Sequence, residues 1–206
     1  YSNYSSSNSP RATEISLMPT DGVAVFGASE FPDGLSNLPN VKSEVGHIID
    51  YAIKASHPAT EFLDGGFTKA SLTDTFASDF ELIHIASHFV LKPGPMDESY
   101  LALGSGQHLS LRELRDSSTP LSHIKLITLS ACDTALSYST SFHREIEGLA
   151  GILGRKGVKS VIASLWPVSD TATSYFMDNI YSYIITKGVP FIDALSKTQK
   201  DLITQN

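Results

Sequence analysis

Two residues able to do covalent chemistry close two apolar runs. Phe80 to His88 reads FELIHIASH and His123 to Cys132 reads HIKLITLSAC, so one run ends on an imidazole and the other on the chain's single thiol. A thiol attacks a carbonyl only as the thiolate, and a nearby imidazole either takes its proton or stabilises the anion. Cys132 and His88 in one concave site would be the minimum for acyl transfer by a cysteine hydrolase. Backbone N–H groups at strand-to-loop turns can supply the oxyanion hole. The residues alone leave a second reading open, in which Cys132 is an inert core residue and His88 a structural histidine.

Such a pair needs elements that bring two strand ends together. Apolar runs of strand length alternate with helical spacing along the chain. Gly22–Gly27 (GVAVFG) reads as a strand, and Val41, Val45, Ile48, Ile49, Ala52 and Ile53 follow at helical spacing after Pro39. ATEFLDG is a weak strand and TKASLTDTFAS a weak helix. FELIHIAS, HIKLITLSA and VKSVIASLW read as strands buried on both faces. FVLKPGPMDESY reads as a loop, LSLRELRD as a short helix, and REIEGLAGILGRKG as an amphipathic helix with Gly157 just past its end. SDTATSYFMDNIYSYIITKG predicts one helix stopped by Gly188, and PFIDALSKTQKDLI a last amphipathic helix. This alternation predicts an α/β fold with a mostly parallel sheet and helices on both faces, whose ligands bind at the carboxyl ends of the strands. Alternation along a strand puts His84, Ala86 and His88 on one face.

Composition narrows the classes of function. The chain has 206 residues, 41% of them apolar, enough for a real core, and only 18% charged, which is low for a disordered chain. A net charge of −7 argues against direct nucleic-acid binding and against docking on anionic lipid. One cysteine forms no internal disulfide and no cysteine zinc cluster, so a reducing, cytoplasmic setting is expected. No stretch is long and apolar enough to span a bilayer. The Ser- and Asn-rich start, residues 1–14, reads as a linker, leaving 15–206 as one domain of a longer protein. His84 and His88 lack an obvious carboxylate partner, so no metal is expected. GILGRKG, LGSGQH and FGAS lack the order of a phosphate-binding loop, which weakens a nucleotide-binding module as a rival. Asp170 opens a helix, where an N-cap is the simplest role.

LIHIASH, then LITLSACDTA, then EIEGLAGILGRKGVKSVIASLWPVSDTAT resemble the CHAT domain, a family of caspase-like cysteine peptidases related to separase and caspases. LPNVKSEVGHI and FIDALSKTQKDLI extend the resemblance over most of the chain. It implies a caspase–haemoglobinase-like three-layer sandwich and a cysteine endopeptidase with no cofactor. By position, His88 matches the family's histidine and Cys132 its nucleophile. Phe89 and Cys132 would then donate backbone N–H groups to the oxyanion. Asp170 matches an aspartate that in separase-like relatives lies in the pocket for a basic side chain before the scissile bond, and Asp133 is a second candidate for lining the site. The family implies a protein or peptide substrate and an upstream sensor or helical-repeat module, in some cases within bacterial defence. Phe89 stands where the family usually has glycine, the DTALSYSTSFHRE loop lacks a glycine-rich lead-in, and the family's closing aromatic-glycine strand does not follow the last helix. Phe89 also keeps a rival in view, a catalytically inactive caspase-like interaction module.

Overall fold

A computed structural model describes residues 21–90, 92, 95–96, 98–131, 140–163 and 170–204. The expected linker, residues 1–14, lies outside the described residues. Among the described residues, five parallel strands form the central sheet: β1 (Gly22–Gly27), β2 (Ala59–Leu63), β3 (Phe80–Ser87), β7 (Leu126–Ala131) and β8 (Ser160–Ala163), in the order β2-β1-β3-β7-β8. β1 is buried along its whole length and β3 from Leu82 onward, as their almost unbroken apolar sequence requires. Side chains of β3 and β7 alternate between two helical layers. Ile85, Ile127 and Leu129 face Leu72 and Phe76 of α2 (Lys69–Phe76), Leu111 and Leu114 of α3 (Leu111–Asp116), and Leu149 and Leu153 of α4 (Thr140–Arg155). The opposite face receives α1 (Val41–Lys54) and α5 (Asp170–Tyr181), with α6 (Phe191–Thr204) packed on α5. This is the expected three-layer sandwich.

Local chemistry sets several boundaries. α2 and α3 both open on capping boxes, Thr68 with Ser71 and Ser110 with Glu113, each satisfying two N–H groups that the first turn leaves unpaired. α1 buries Val41, Val45, Ile48 and Ala52 as its spacing predicts, whereas Ile53, expected on the same stripe, is exposed. Gly157 adopts φ +104° two residues after α4, the left-handed turn that a glycine permits there.

Three expectations need correction. The FVLKPGPMDESY segment is not wholly loop: β4 (Phe89–Val90) pairs antiparallel with β5 (Tyr100–Ala102), and β5 with β6 (His108–Ser110), in a separate small sheet. Strands of two or three residues are too short to show a period. VKSVIASLW does not form a strand buried on both faces; β8 is the edge of the sheet among the described residues and is only half-buried. Its apolar content gave no sign of a missing neighbour. The helix expected to run to Gly188 is α-helical only to Tyr181 and then widens into a π turn, Ser182–Thr186. The widening buries Ile184 and Ile185 and lets the Tyr183 hydroxyl reach Asp201 of α6 at 2.7 Å.

Candidate active site

β3 and β7 are direct neighbours in parallel register, and their last couple is Ser87 opposite Ala131. His88 follows Ser87 in the chain and Cys132 follows Ala131. The two strand ends that carry the candidate dyad therefore lie side by side at the carboxyl edge of the sheet. Cys132 and Asp133 lie outside the described residues, and so does the 132–139 segment that follows β7.

His88 is 2% exposed, and its ring is gripped by the loop of residues 28–40 that joins β1 to α1. Its Nε2–H donates to the Ser36 carbonyl at 2.7 Å, and the Phe31 ring packs on it with centroids 4.6 Å apart and planes tilted by 57°. A carbonyl can only accept, so this bond puts the proton of a neutral imidazole on Nε2 and the lone pair on Nδ1. The ring is thus held in one tautomer and in one plane.

Phe89, the residue after His88, is buried. Its side chain is 7% exposed and lies in the apolar layer among Phe76, Ile85, Leu101, Leu109 and Leu129, on the sheet face away from α1. Adjacent residues of an extended chain point to opposite sides, so the chain that turns His88 toward Ser36 turns Phe89 into the core. The Ala102 N–H donates to the His88 carbonyl at 2.9 Å, which makes Phe89 and Leu101 a couple of the non-hydrogen-bonded type. The Phe89 N–H consequently points away from β5.

Asp170 is the first residue of α5. The next residue, Thr171, accepts a hydrogen bond from Asn40 Nδ2 at 3.3 Å, and Asn40 closes the loop that holds His88. The start of α5 therefore stands at the same edge of the sheet as the imidazole. α5 is further tied to α1 through Asp178, which accepts from the Tyr51 hydroxyl at 2.9 Å and pairs with His47 Nδ1 at 3.0 Å.

His84 shares a face with His88, as the alternation predicts, but its work is internal. Its Nε2–H donates to the Glu44 carboxylate at 2.8 Å, and the Tyr181 hydroxyl lies 3.0 Å from Nδ1. Sequence reading missed both partners. The signal for Glu44 was present, because Val41, Glu44, Val45 and Ile48 all fall on the buried stripe of α1 and an acid there must find a donor. Burial, and next the Glu44 charge, push the Tyr181 phenol far above its ordinary value against an opposing effect of Thr128, whose hydroxyl makes no hydrogen bond of normal geometry. Tyr181 accordingly stays neutral. No group of three or more metal-ligating side chains occurs among the described residues.

Asp64, directly after β2, is a further acid at this edge of the sheet. Its Oδ1 accepts from both the backbone N–H and the hydroxyl of Ser29, each at 2.8 Å, and Lys42 Nζ stands 3.3 Å from Oδ2. Burial alone would raise this carboxyl, but the two Ser29 donors and then Lys42 outweigh it and hold it below the ordinary carboxylate value.

Comparison with known families fits this arrangement: the model of the family described as the CHAT domain matches residues 2–206. The chain belongs to the CHAT domain family. Solved structures that share the fold of this CHAT domain include two cysteine peptidases. The Arg-specific cysteine proteinase gingipain R aligns at 15% identity with a TM-score of 0.56, over 88% of this chain and 42% of that one. The Drosophila initiator caspase Dronc aligns at 12% identity with a TM-score of 0.50, over 86% of this chain and 70% of that one. The CHAT domain thus spans less than half the length of the gingipain chain, and at these identities the likeness is one of fold. No curated protein matches the sequence. Among the described residues no helix is long and apolar enough to cross a membrane.

Proposed function

We propose that this CHAT domain is a cysteine endopeptidase with His88 and Cys132 as its dyad. The observation that carries the reading is the register of β3 and β7, which delivers positions 88 and 132 from the paired residues Ser87 and Ala131, with the His88 ring already clamped by Ser36. Nδ1 of His88 takes the thiol proton of Cys132, and the thiolate sulfur attacks the carbonyl carbon of the peptide bond. The N–H groups of Phe89 and Cys132 stabilise the oxyanion. As the carbon–nitrogen bond breaks, the imidazolium returns its proton to the departing amine and a thioester remains. Water, deprotonated by His88, then attacks the thioester, breaks the sulfur–carbon bond and restores the thiol. Ser36 holds the ring for both proton transfers and favours no other tautomer.

The substrate is a protein or peptide. Asp170, at the start of α5, selects a basic side chain before the scissile bond, because a desolvated carboxylate rewards a cationic partner and penalises a neutral one. Asp133 lines the same region. A sensor or helical-repeat module upstream regulates the domain, in the setting of cytoplasmic bacterial defence. The burial of the Phe89 ring supports the peptidase reading over an inactive interaction module.

The test has two arms. A randomised peptide library is offered to the wild-type protein with its upstream module, beside Cys132→Ala and Asp170→Ala. Loss of cleavage in Cys132→Ala and loss of a basic preference in Asp170→Ala are expected. In parallel, alkylation of Cys132 by iodoacetamide is followed against pH in wild type and in His88→Gln. Equal rates at every pH would remove the dyad from consideration.

A further inference from the structure

Phe31 and the Ser36 carbonyl, which hold the His88 ring, belong to the segment of residues 28–40, which contains no helix or strand. Whatever holds this segment holds the imidazole. Two carboxylates do so. Asp33 Oδ2 lies 2.7 Å from His108 Nε2, but the two side chains are 27% and 38% exposed. A polar contact so open to water holds a loop weakly. The other carboxylate is Asp64, and its grip differs in kind. It accepts two charge-assisted hydrogen bonds from one residue, Ser29, which is only 3% exposed. Ser29 in turn accepts the Leu38 N–H at 2.9 Å, which closes the segment on itself around Ser36.

Asp64 is itself fixed in place. Its backbone has φ +46°, a left-handed conformation that aspartate tolerates better than most side chains. The turn between β5 and β6 lies against it so closely that a Cβ on Gly104 would stand 2.2 Å from the Asp64 carbonyl oxygen. The Phe67 N–H donates to that same oxygen at 2.8 Å. The carboxylate is therefore aimed by a backbone wedged between two loops.

We propose that Asp64 is a positioning residue for His88: by binding both donors of Ser29 it fixes the 28–40 segment and, through Leu38 and the Ser36 carbonyl, the plane and tautomer of the imidazole. This rests on the reading of His88 as the base, and it adds an acid that acts on the imidazole through Ser29. Alanine at position 64 leaves the Ser29 N–H and hydroxyl without their acceptor, and the segment loses the contact that sets its height above His88.

The experiment reads the imidazole nitrogens directly. Long-range proton–nitrogen correlation on the labelled protein at alkaline pH, with His88 identified by its loss in His88→Gln, should show the Nε2-protonated tautomer as the dominant form. In Asp64→Ala the preference should fall on the order of tenfold, the scale of one lost hydrogen bond to a charged group, and the two nitrogen shifts should move toward each other. Asp64→Asn keeps an oxygen acceptor for Ser29 and should restore most of the preference. Unchanged His88 nitrogens in a folded Asp64→Ala protein would overturn the proposal. If Asp64→Ala does not fold, Ser29→Ala removes only the hydroxyl donor and should move the shifts in the same direction by less; no movement there overturns it equally. The peptidase reading fails separately, through Cys132 alkylation that ignores His88→Gln, and the tautomer result stands or falls without it.

Discussion

Replacing Phe89 by glycine restores the residue that the family usually carries after its histidine, and the structure says the exchange should damage the protein. The ring is 7% exposed and packs among Phe76, Ile85, Leu101, Leu109 and Leu129. Truncating a buried phenylalanine to alanine costs about 3–5 kcal/mol, from lost transfer energy and the cavity left behind. Glycine in a strand costs roughly another 0.5–1 kcal/mol in backbone entropy. The total, about 3.5–6 kcal/mol, is comparable to the whole stability of many domains, roughly 5–15 kcal/mol. With a urea m-value near 3 kcal/mol/M, the upper end for small proteins, the midpoint should fall by about 1.2–2 M. The N–H at position 89 survives the exchange, and so does the bond from His88 to Ser36, so alkylation of Cys132 under native conditions should not accelerate. A midpoint within about 0.3 M of wild type, together with faster alkylation, would place the ring over the site and refute the reasoning.

Other perturbations follow from the same geometry. Glu44→Ala breaks a fully buried pair with His84 and should cost about 3–5 kcal/mol in urea unfolding. Glu44→Gln keeps an acceptor for Nε2 and should cost clearly less; equal losses would contradict the bond. Gly104→Ala drives a Cβ into the Asp64 carbonyl, and the displacement should cost about 1–3 kcal/mol, or roughly 2–4 °C of melting temperature for each. The Asp64 carboxyl titrates lower in the folded state than its unfolded value of about 3.9, so its contribution to stability is present above that pH and is lost as pH falls through the lower, folded value. Asp64→Asn should therefore flatten the acid limb of the stability–pH curve, and an unchanged limb would show that the carboxylate is not held by Ser29. Glu81 is the opposite case: contact with Asp21, burial and the Asp21 charge raise its carboxyl against Lys125. Glu81→Gln should gain stability at neutral pH relative to acid, and a loss at neutral pH would mean that the Lys125 pair prevails.

The amino-acid sequence by itself determined the alternation of elements, the parallel sheet and the two strand ends that carry His88 and Cys132. Those signals are local: FELIHIAS and LITLSA are mostly apolar runs of strand length, the pattern of a strand covered on both faces. The stripe of α1 was legible for the same reason. Tertiary structure decided what no local period encodes. That β3 and β7 are neighbours, with Ser87 opposite Ala131, depends on residues far apart in the chain finding each other. The partners of buried polar groups are equally non-local, as Glu44 is to His84, Ser36 to His88 and Asp64 to Ser29. The direction of the Phe89 ring came from a two-residue strand too short to carry a pattern. Hydrophobic periodicity records which face is covered. The identity of the donor that meets a given acceptor is fixed only when loops from different strands converge at one edge of the sheet.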